Sequence, residues 1–472
     1  MLLLALLFIP LFSAIFLQIL GGQFVKKIAL LLSLIPLGIS IYLAANSFCP
    51  CMAEMSSFDK VWIQSLGVNF SLKLDGTSLL LVLLTNTLIP LIILTGFNYN
   101  YSNESRLFAL ISAMQFGLLG VFLSNDAFLF YVFWEIALIP VYFICGIYGG
   151  YDKERVTLKF FIYTILGSLF MLVGILYVYS QMGIHADFSI ESMIRTGVSL
   201  SLTEQTFVFI MFLLAFAIKM PIFPLHTWQP DTYTVSPTVG TMLLSGIMLK
   251  MGVFGAMKWL KPISPLAFEQ YSGIVVILSV IGIVYASILA IQQSDAKKLV
   301  AYSSIAHVGL IAAGVFVNSS AGLEGATIQM INHGINVVGM FFVLDVIERR
   351  MNTREIASLG GIINKAPLFA VFYVIIMLGN VALPLTNGFV GEFILLKSLF
   401  DYSAWLAFAA GLSVILGAVY SLRTYQRVML GETNSLTEQF TCLNSTEIVV
   451  LSIISALVII LGIFPSLILQ FV

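Results

Sequence analysis

Charge is what this sequence has least of. Lysine, arginine, aspartate and glutamate together supply 10% of its 472 residues, where a soluble domain carries roughly a quarter. Too few charged groups remain to cover a water-facing surface, which excludes a soluble globular chain. The formal net charge of −1 and the lack of any Lys/Arg-rich block argue against a nucleic-acid partner. Cysteine is scarce as well. Cys49, Cys51, Cys145 and Cys442 are too few for a disulfide framework or a cluster site. The single residue between Cys49 and Cys51 is a poor spacing for an unstrained bridge, so all of them read as incidental thiols. No strand–GxGxxG–helix unit, P-loop or CxxC pair occurs, so the chain has no signature for binding a nicotinamide, a flavin or an iron–sulfur cluster. The two central histidines, His307 and His333, fall on separate segments without a matching carboxylate cluster, which argues against a metal site.

What is present is apolar sequence. Hydrophobic residues make up 60% of the chain and the mean hydropathy is +1.03. Runs of the roughly 20 residues needed to cross a bilayer as a helix recur throughout. Fourteen candidate spans are legible: 2–20, 28–45, 79–97, 106–123, 126–148, 156–179, 206–228, 237–259, 271–292, 298–317, 322–346, 367–399, 403–424 and 447–470. The first lacks a basic flank and a small-residue cleavage site, so it is expected to be a retained span rather than a signal peptide. The expected fold class is an all-α polytopic membrane protein, one membrane domain over 1–472. Two longer connections, 46–78 and 180–205, read as loops rich in acids, Ser and Thr.

Lysine and arginine set the sidedness. Lys26, Lys27, Arg106, Lys153, Arg155, Lys297, Lys298, Arg349, Arg350, Arg354, Lys365, Arg423 and Arg427 gather on one side, which is therefore expected to be cytoplasmic. Both termini then lie on the periplasmic side. The loop around Asp231 is the exception, having no cations where the bias predicts them.

Two spans are interrupted. The seventh carries "KMPIFPLHTW", where Pro221 and Pro224 remove backbone donors in mid-membrane. The twelfth is too long for one crossing and contains "NVALPLTNGFVGEF", with Pro384 and Gly388. Irregular backbone at membrane depth is tolerated only inside protein or along a wet cavity. Paired broken helices an odd number of spans apart predict inverted repeats: spans 4–8 (106–260) and 9–13 (270–425), preceded by spans 1–3 (1–105) and followed by a last span (445–472).

Ionisable groups sit near the centres of the same spans: Glu135, Lys219, Lys250, His307, His333 and Glu392. Each has a plainer reading. Glu135 and Lys219 could be a static ion pair, Lys250 could snorkel, and the histidines could be hydrogen-bonded core residues. His226 is expected near the cytoplasmic mouth. Together the row favours a lateral proton relay, because carboxylates, amines and imidazoles all exchange protons when buried beside one another.

"FWEIALIPVYFICGIYGG", "KFFIYTILGSLFML", "FAIKMPIFPLHTWQPD", "QQSDAKKLVAYSSIAHVGL" and "TREIASLGG" with "LPLTNGFVGEF" resemble the antiporter-like subunits of respiratory complex I, relatives of Mrp-type cation/proton antiporter subunits. The likeness covers about residues 75 to 430. It is nearest the M-type branch, since Glu392 stands where the L and N types carry lysine and the chain ends without the long lateral helix of the L type. The resemblance implies a proton-translocating membrane-arm subunit in which Glu135, Lys219, Lys250, His307, His333 and Glu392 carry the protons. It implies the bacterial inner membrane as the location and the L-type and N-type subunits as partners. It further implies that NADH, FMN, the iron–sulfur clusters and quinone belong to other subunits. An Mrp-type Na⁺/H⁺ antiporter or a hydrogenase-associated subunit is the alternative. Two departures stand out: "TYTVSP" follows "HTWQPD", and Leu385 occupies a position where glycine is common in the family.

Overall fold

Helix starts follow the polar residues that precede each apolar run. Asp75, Asn103, Asp126 and Ser319 each accept a hydrogen bond from a backbone amide of the first turn. Ser201 with Glu204 and Asn444 with Glu447 form reciprocal capping boxes. The computed structural model describes residues 1–22, 24–47, 56–183 and 186–472. Cys49 and Cys51 lie outside the described residues.

Among those residues, thirteen helices are long and apolar enough to cross a membrane. They are α1 (Leu2–Ile19), α2 (Val25–Ala45), α3 (Gly76–Gly96), α4 (Glu104–Leu123), α5 (Ala127–Tyr148), α6 (Lys153–Ser180), α7a (Leu202–Lys219), α8 (Thr238–Ile263), α9 (Pro265–Gln292), α10 (Ala296–Phe316), α11 (Ser320–Met351), α13 (Ala404–Met429) and α14 (Ser445–Ile463). The twelfth expected span is two shorter helices, α12a (Pro367–Asn380) and α12b (Asn387–Tyr402). The seventh likewise breaks after Lys219 and resumes as the short α7b (Gln229–Val235). Both interruptions fall at the prolines that predict them.

The connection 46–78 holds more than a loop. Ser57–Ile63 and Val68–Lys73 pair as an antiparallel hairpin, β1 and β2, turned through Gln64–Leu66 and a left-handed Gly67. Connection 180–205 contains a short helix, Ile190–Ser199. Extended segments so brief are masked by the Ser, Asp and Lys within them.

The chain forms two compact units: residues 1–220 with 247–273 and 471, and residues 221–246 with 274–470 and 472. In the first, α3, α4 and the part of α8 from residue 247 onward are buried. Gly117 and Gly120 of α4 let it close on Ala137 and Phe133 of α5; small residues at such contacts are how helices pack without a hydrophobic drive between them. In the second, α11 is the core helix, its apolar stretch wholly buried, with α10, α12b and α14 packed around it.

Candidate functional site

Lys219 closes α7a. Its backbone is the last turn before Pro221 removes a donor, and a cation there complements the negative end of the helix. The side chain is 2% exposed. Nζ lies 5.4 Å from the centroid of the Trp134 ring and has no hydrogen-bond partner. One residue along α5, Glu135 is half-buried, with Lys219 and Ser168 as its polar neighbours. The carboxylate Oε1 also lacks a hydrogen-bond partner. The two charges therefore act on each other through space and are not joined in the direct contact a static ion pair requires.

Lys250 belongs to the same unit and is 1% exposed, so it does not snorkel. It sits in an α-helical turn between two π-helical ones, Leu244–Met248 and Ala256–Leu260. Such widened turns inside a helix concentrate at functional positions. Gly252, half a turn on, has no room for a Cβ: it would stand 2.9 Å from the Met220 amide and the Phe216 carbonyl. This glycine presses the Lys250 helix against the end of α7a beside Lys219.

The second unit assembles His307, His333 and Glu392. Ring centroids of His307 and His333 are 5.8 Å apart, and Glu392 Oε1 lies 3.4 Å from His307 Nε2. His307 Nδ1 faces the Ser303 carbonyl at 2.7 Å and Nε2 the Asn380 carbonyl at 3.0 Å. A neutral imidazole has one N–H, so only the doubly protonated ring donates to both. His333 Nε2 is 3.1 Å from Ser304 Oγ. Gln329 Nε2 donates to Glu392 Oε1 at 3.3 Å.

The break between α12a and α12b is what puts Asn380 in reach. Asn336 donates to the Gly379 carbonyl at 2.9 Å and Asn332 to the Asn387 carbonyl at 2.7 Å, tying α11 to both sides of the break. A Cβ at Gly388 would run into the Gly379 carbonyl. Leu385, the family departure, adopts φ +72°, the left-handed region that glycine enters freely.

Other groups escaped the sequence reading. Ser303, Ser304, Tyr420 and the asparagines look like ordinary span residues; only the spacing of Gln329, Asn332, His333 and Asn336 on one helix face hinted at a polar stripe. Lys297, counted among the loop cations, is buried and donates to the Ser236 carbonyl at 2.6 Å, while Arg354 donates to the Thr234 carbonyl at 3.0 Å. The cation-free loop around Asp231 thus acquires cations in space, at the carbonyl end of α7b. His226 is buried, its ring 5.6 Å from Phe223 and 5.4 Å from Tyr285.

Known proteins share this architecture. The NADH:quinone oxidoreductase/Mrp antiporter transmembrane family matches residues 124–417. NADH-quinone oxidoreductase subunit M of Rickettsia conorii is 37% identical, over 98% of this chain and 95% of that one. A subunit of respiratory complex I from Thermus thermophilus superposes with a TM-score of 0.90 at 30% identity, covering 100% of this chain and 99% of its own. A chain of the Mrp complex from a Dietzia species shares the fold, with a TM-score of 0.86 at 19% identity over 99% and 95% of the two chains. By helices, breaks, buried charges and kinship alike, this multi-pass membrane chain belongs to the NADH:quinone oxidoreductase/Mrp antiporter family.

Proposed function

We propose that the chain is a proton-translocating membrane-arm subunit of an NADH–quinone oxidoreductase, with Glu135, Lys219, Lys250, His307, His333 and Glu392 as its proton carriers. The observation that carries the reading is Lys219: a buried amine with no hydrogen bond, an aromatic face on one side and a carboxylate within electrostatic reach. A buried ammonium without partners is costly, so whether Lys219 holds its proton depends on the charge of Glu135. A movement that separates the two releases the proton towards Lys250.

In the second unit, His307 and Glu392 make a two-state pair. With the proton on the ring, both facing carbonyls receive an N–H and the carboxylate faces a cation. With the proton on Glu392, the charges vanish but one carbonyl loses its donor. The proton can pass between the two groups because Glu392 Oε1 lies 3.4 Å from His307 Nε2.

NADH, FMN, the iron–sulfur clusters and quinone belong to other subunits on this reading, and this chain performs no redox step. Its neighbours are the L-type and N-type subunits, and both termini face the periplasm of a bacterial inner membrane. The positive-inside bias supports that orientation. In sealed vesicles holding the assembled complex, Glu135→Gln should suppress quinone reduction and proton pumping together, whereas Glu135→Asp, which keeps the charge, should retain most of both. Assembly with parental pumping in the Gln variant overturns the reading.

A further inference from the structure

Tyr420, in α13, is shared by three cavities of the second unit. The largest, about 200 Å³, lies at the cation-rich end of the helices and is lined by Gln292, Ser294, Glu355, Arg423, Arg427 and Tyr420. The second, about 10 Å³, lies between Ser303, Asn380, Tyr373, Thr424 and Tyr420. The third, also about 10 Å³, is bounded by His307, Asn380, Glu392 and Tyr420. The space beside His307 and Glu392 is polar and large enough for about one water, the vestibule for several, while the middle one is mostly apolar, walled by Leu299, Val300, Met340 and Leu344. Tyr420 itself is 2% exposed, and its hydroxyl is 2.8 Å from Ser303 Oγ, which Asn380 Nδ2 in turn approaches at 3.4 Å. A buried phenol thus stands where a polar vestibule gives way to the space beside His307 and Glu392.

We propose that the Tyr420 hydroxyl is the link through which protons pass between that vestibule and the His307–Glu392 pair, with Ser303 holding it in position. The inference rests on the proton-carrying reading of Glu392. Bulk solvent passes an excess proton to a vestibule water, and as that hydronium gives a proton to the Tyr420 oxygen the phenolic proton leaves for a water in the inner cavity. That water gives one of its own protons to the Glu392 carboxylate. Each oxygen on the way ends with the proton count it began with, and the net change is one proton on Glu392. The side chain needs no charged intermediate and no large motion, only rotation of the hydroxyl to reset.

The test uses the assembled complex in sealed vesicles. Tyr420→Phe keeps the ring packing and removes only the hydroxyl. Quinone reductase turnover and pumping should both fall about tenfold, modest beside the roughly 10²–10⁴-fold a positioned proton carrier can supply. The solvent deuterium isotope effect on turnover should rise, because proton delivery then limits the rate. If Tyr420→Phe compromises assembly, Ser303→Ala, which removes the hydroxyl that positions Tyr420 and keeps the phenol, should reproduce the larger isotope effect. Parental turnover in Tyr420→Phe, or lowered turnover with a parental isotope effect, overturns the proposal; the second result assigns Tyr420 a packing role. Glu392→Gln, measured alongside, separates the two layers. If it pumps like the parent, the relay reading itself fails, whereas a silent Tyr420→Phe beside an inactive Glu392→Gln removes Tyr420 alone.

Discussion

At the scale of single residues, the polar atoms that matter are those whose partners are fixed by something other than water. Asp126 illustrates this at the edge of the membrane. Its carboxylate caps α5 through the Leu129 amide at 3.0 Å and holds the hairpin through the Asn69 amide at 3.0 Å, with Asp187 nearby. Those amides favour the ionised form, yet burial outweighs them and pushes the carboxyl from 3.8 up to about 6. A group whose pKa is raised on folding stabilises the fold fully below its unfolded value and loses that contribution as pH rises through its folded value. The hairpin should therefore loosen between about pH 4 and 6, read as faster amide exchange over residues 57–73 after correction for intrinsic rates. Asp126→Asn should flatten that dependence. An unchanged pH step in the variant would assign the effect to another group.

At the scale of elements, the two interruptions do the organising. Pro221, Pro224, Pro384 and Gly388 announce them in the sequence, because a missing donor or Cβ is a local property. Which atoms hold the two sides of the break is not local: Asn332 and Asn336 come from another helix, 43 or more positions away. Leu385 holds a left-handed conformation that costs a residue with a Cβ about 1–2 kcal/mol. Its side chain is 72% exposed, so little packing is lost without it. Leu385→Gly should leave the complex assembled and its thermal inactivation midpoint equal to or slightly above the parent's, the gain tempered by the added freedom of glycine in the unfolded chain. Leu385→Val, β-branched at positive φ, should lower the midpoint. A Val variant as stable as the Gly variant would mean the turn relaxes without strain.

At the scale of the whole molecule, apolar surface and buried charge divide the work. Helices α1, α2, α13 and α14 expose most of their apolar residues, as lipid- or subunit-facing helices do, while α10 and α11 are inside. The last span is tied to that interior by charge. Glu447, whose side chain is fully buried, meets Arg349 at 2.6 Å and Arg350 at 2.7 Å, and Arg349 also meets the buried Asp345 at 2.8 Å. Removing one partner of such a cluster costs about 3–5 kcal/mol because the remaining charges stay buried. Glu447→Ala should detach α14, seen as proteolysis within 430–444 and a lower yield of assembled complex, with Glu447→Asp intermediate. Parental protease resistance in the Ala variant would make the cluster dispensable for docking.

The sequence by itself determined the helical membrane class, the places of the spans, both breaks and the six central ionisable positions. Each follows from local chemistry: apolar length against bilayer thickness, and backbone groups that must be satisfied without water. The short hairpin was illegible because strands so brief and polar carry no strong period. Only the tertiary structure decided which ionisable groups meet. It set Lys219 against Trp134 rather than in contact with Glu135, gathered His307, His333 and Glu392, and buried Lys297 at the end of α7b. It also brought Ser303, Asn380 and Tyr420 together from positions as much as 117 apart in the chain. A buried polar side chain takes its role from its partner, and in a helical bundle that partner comes from another helix, at a distance along the chain that no local pattern encodes.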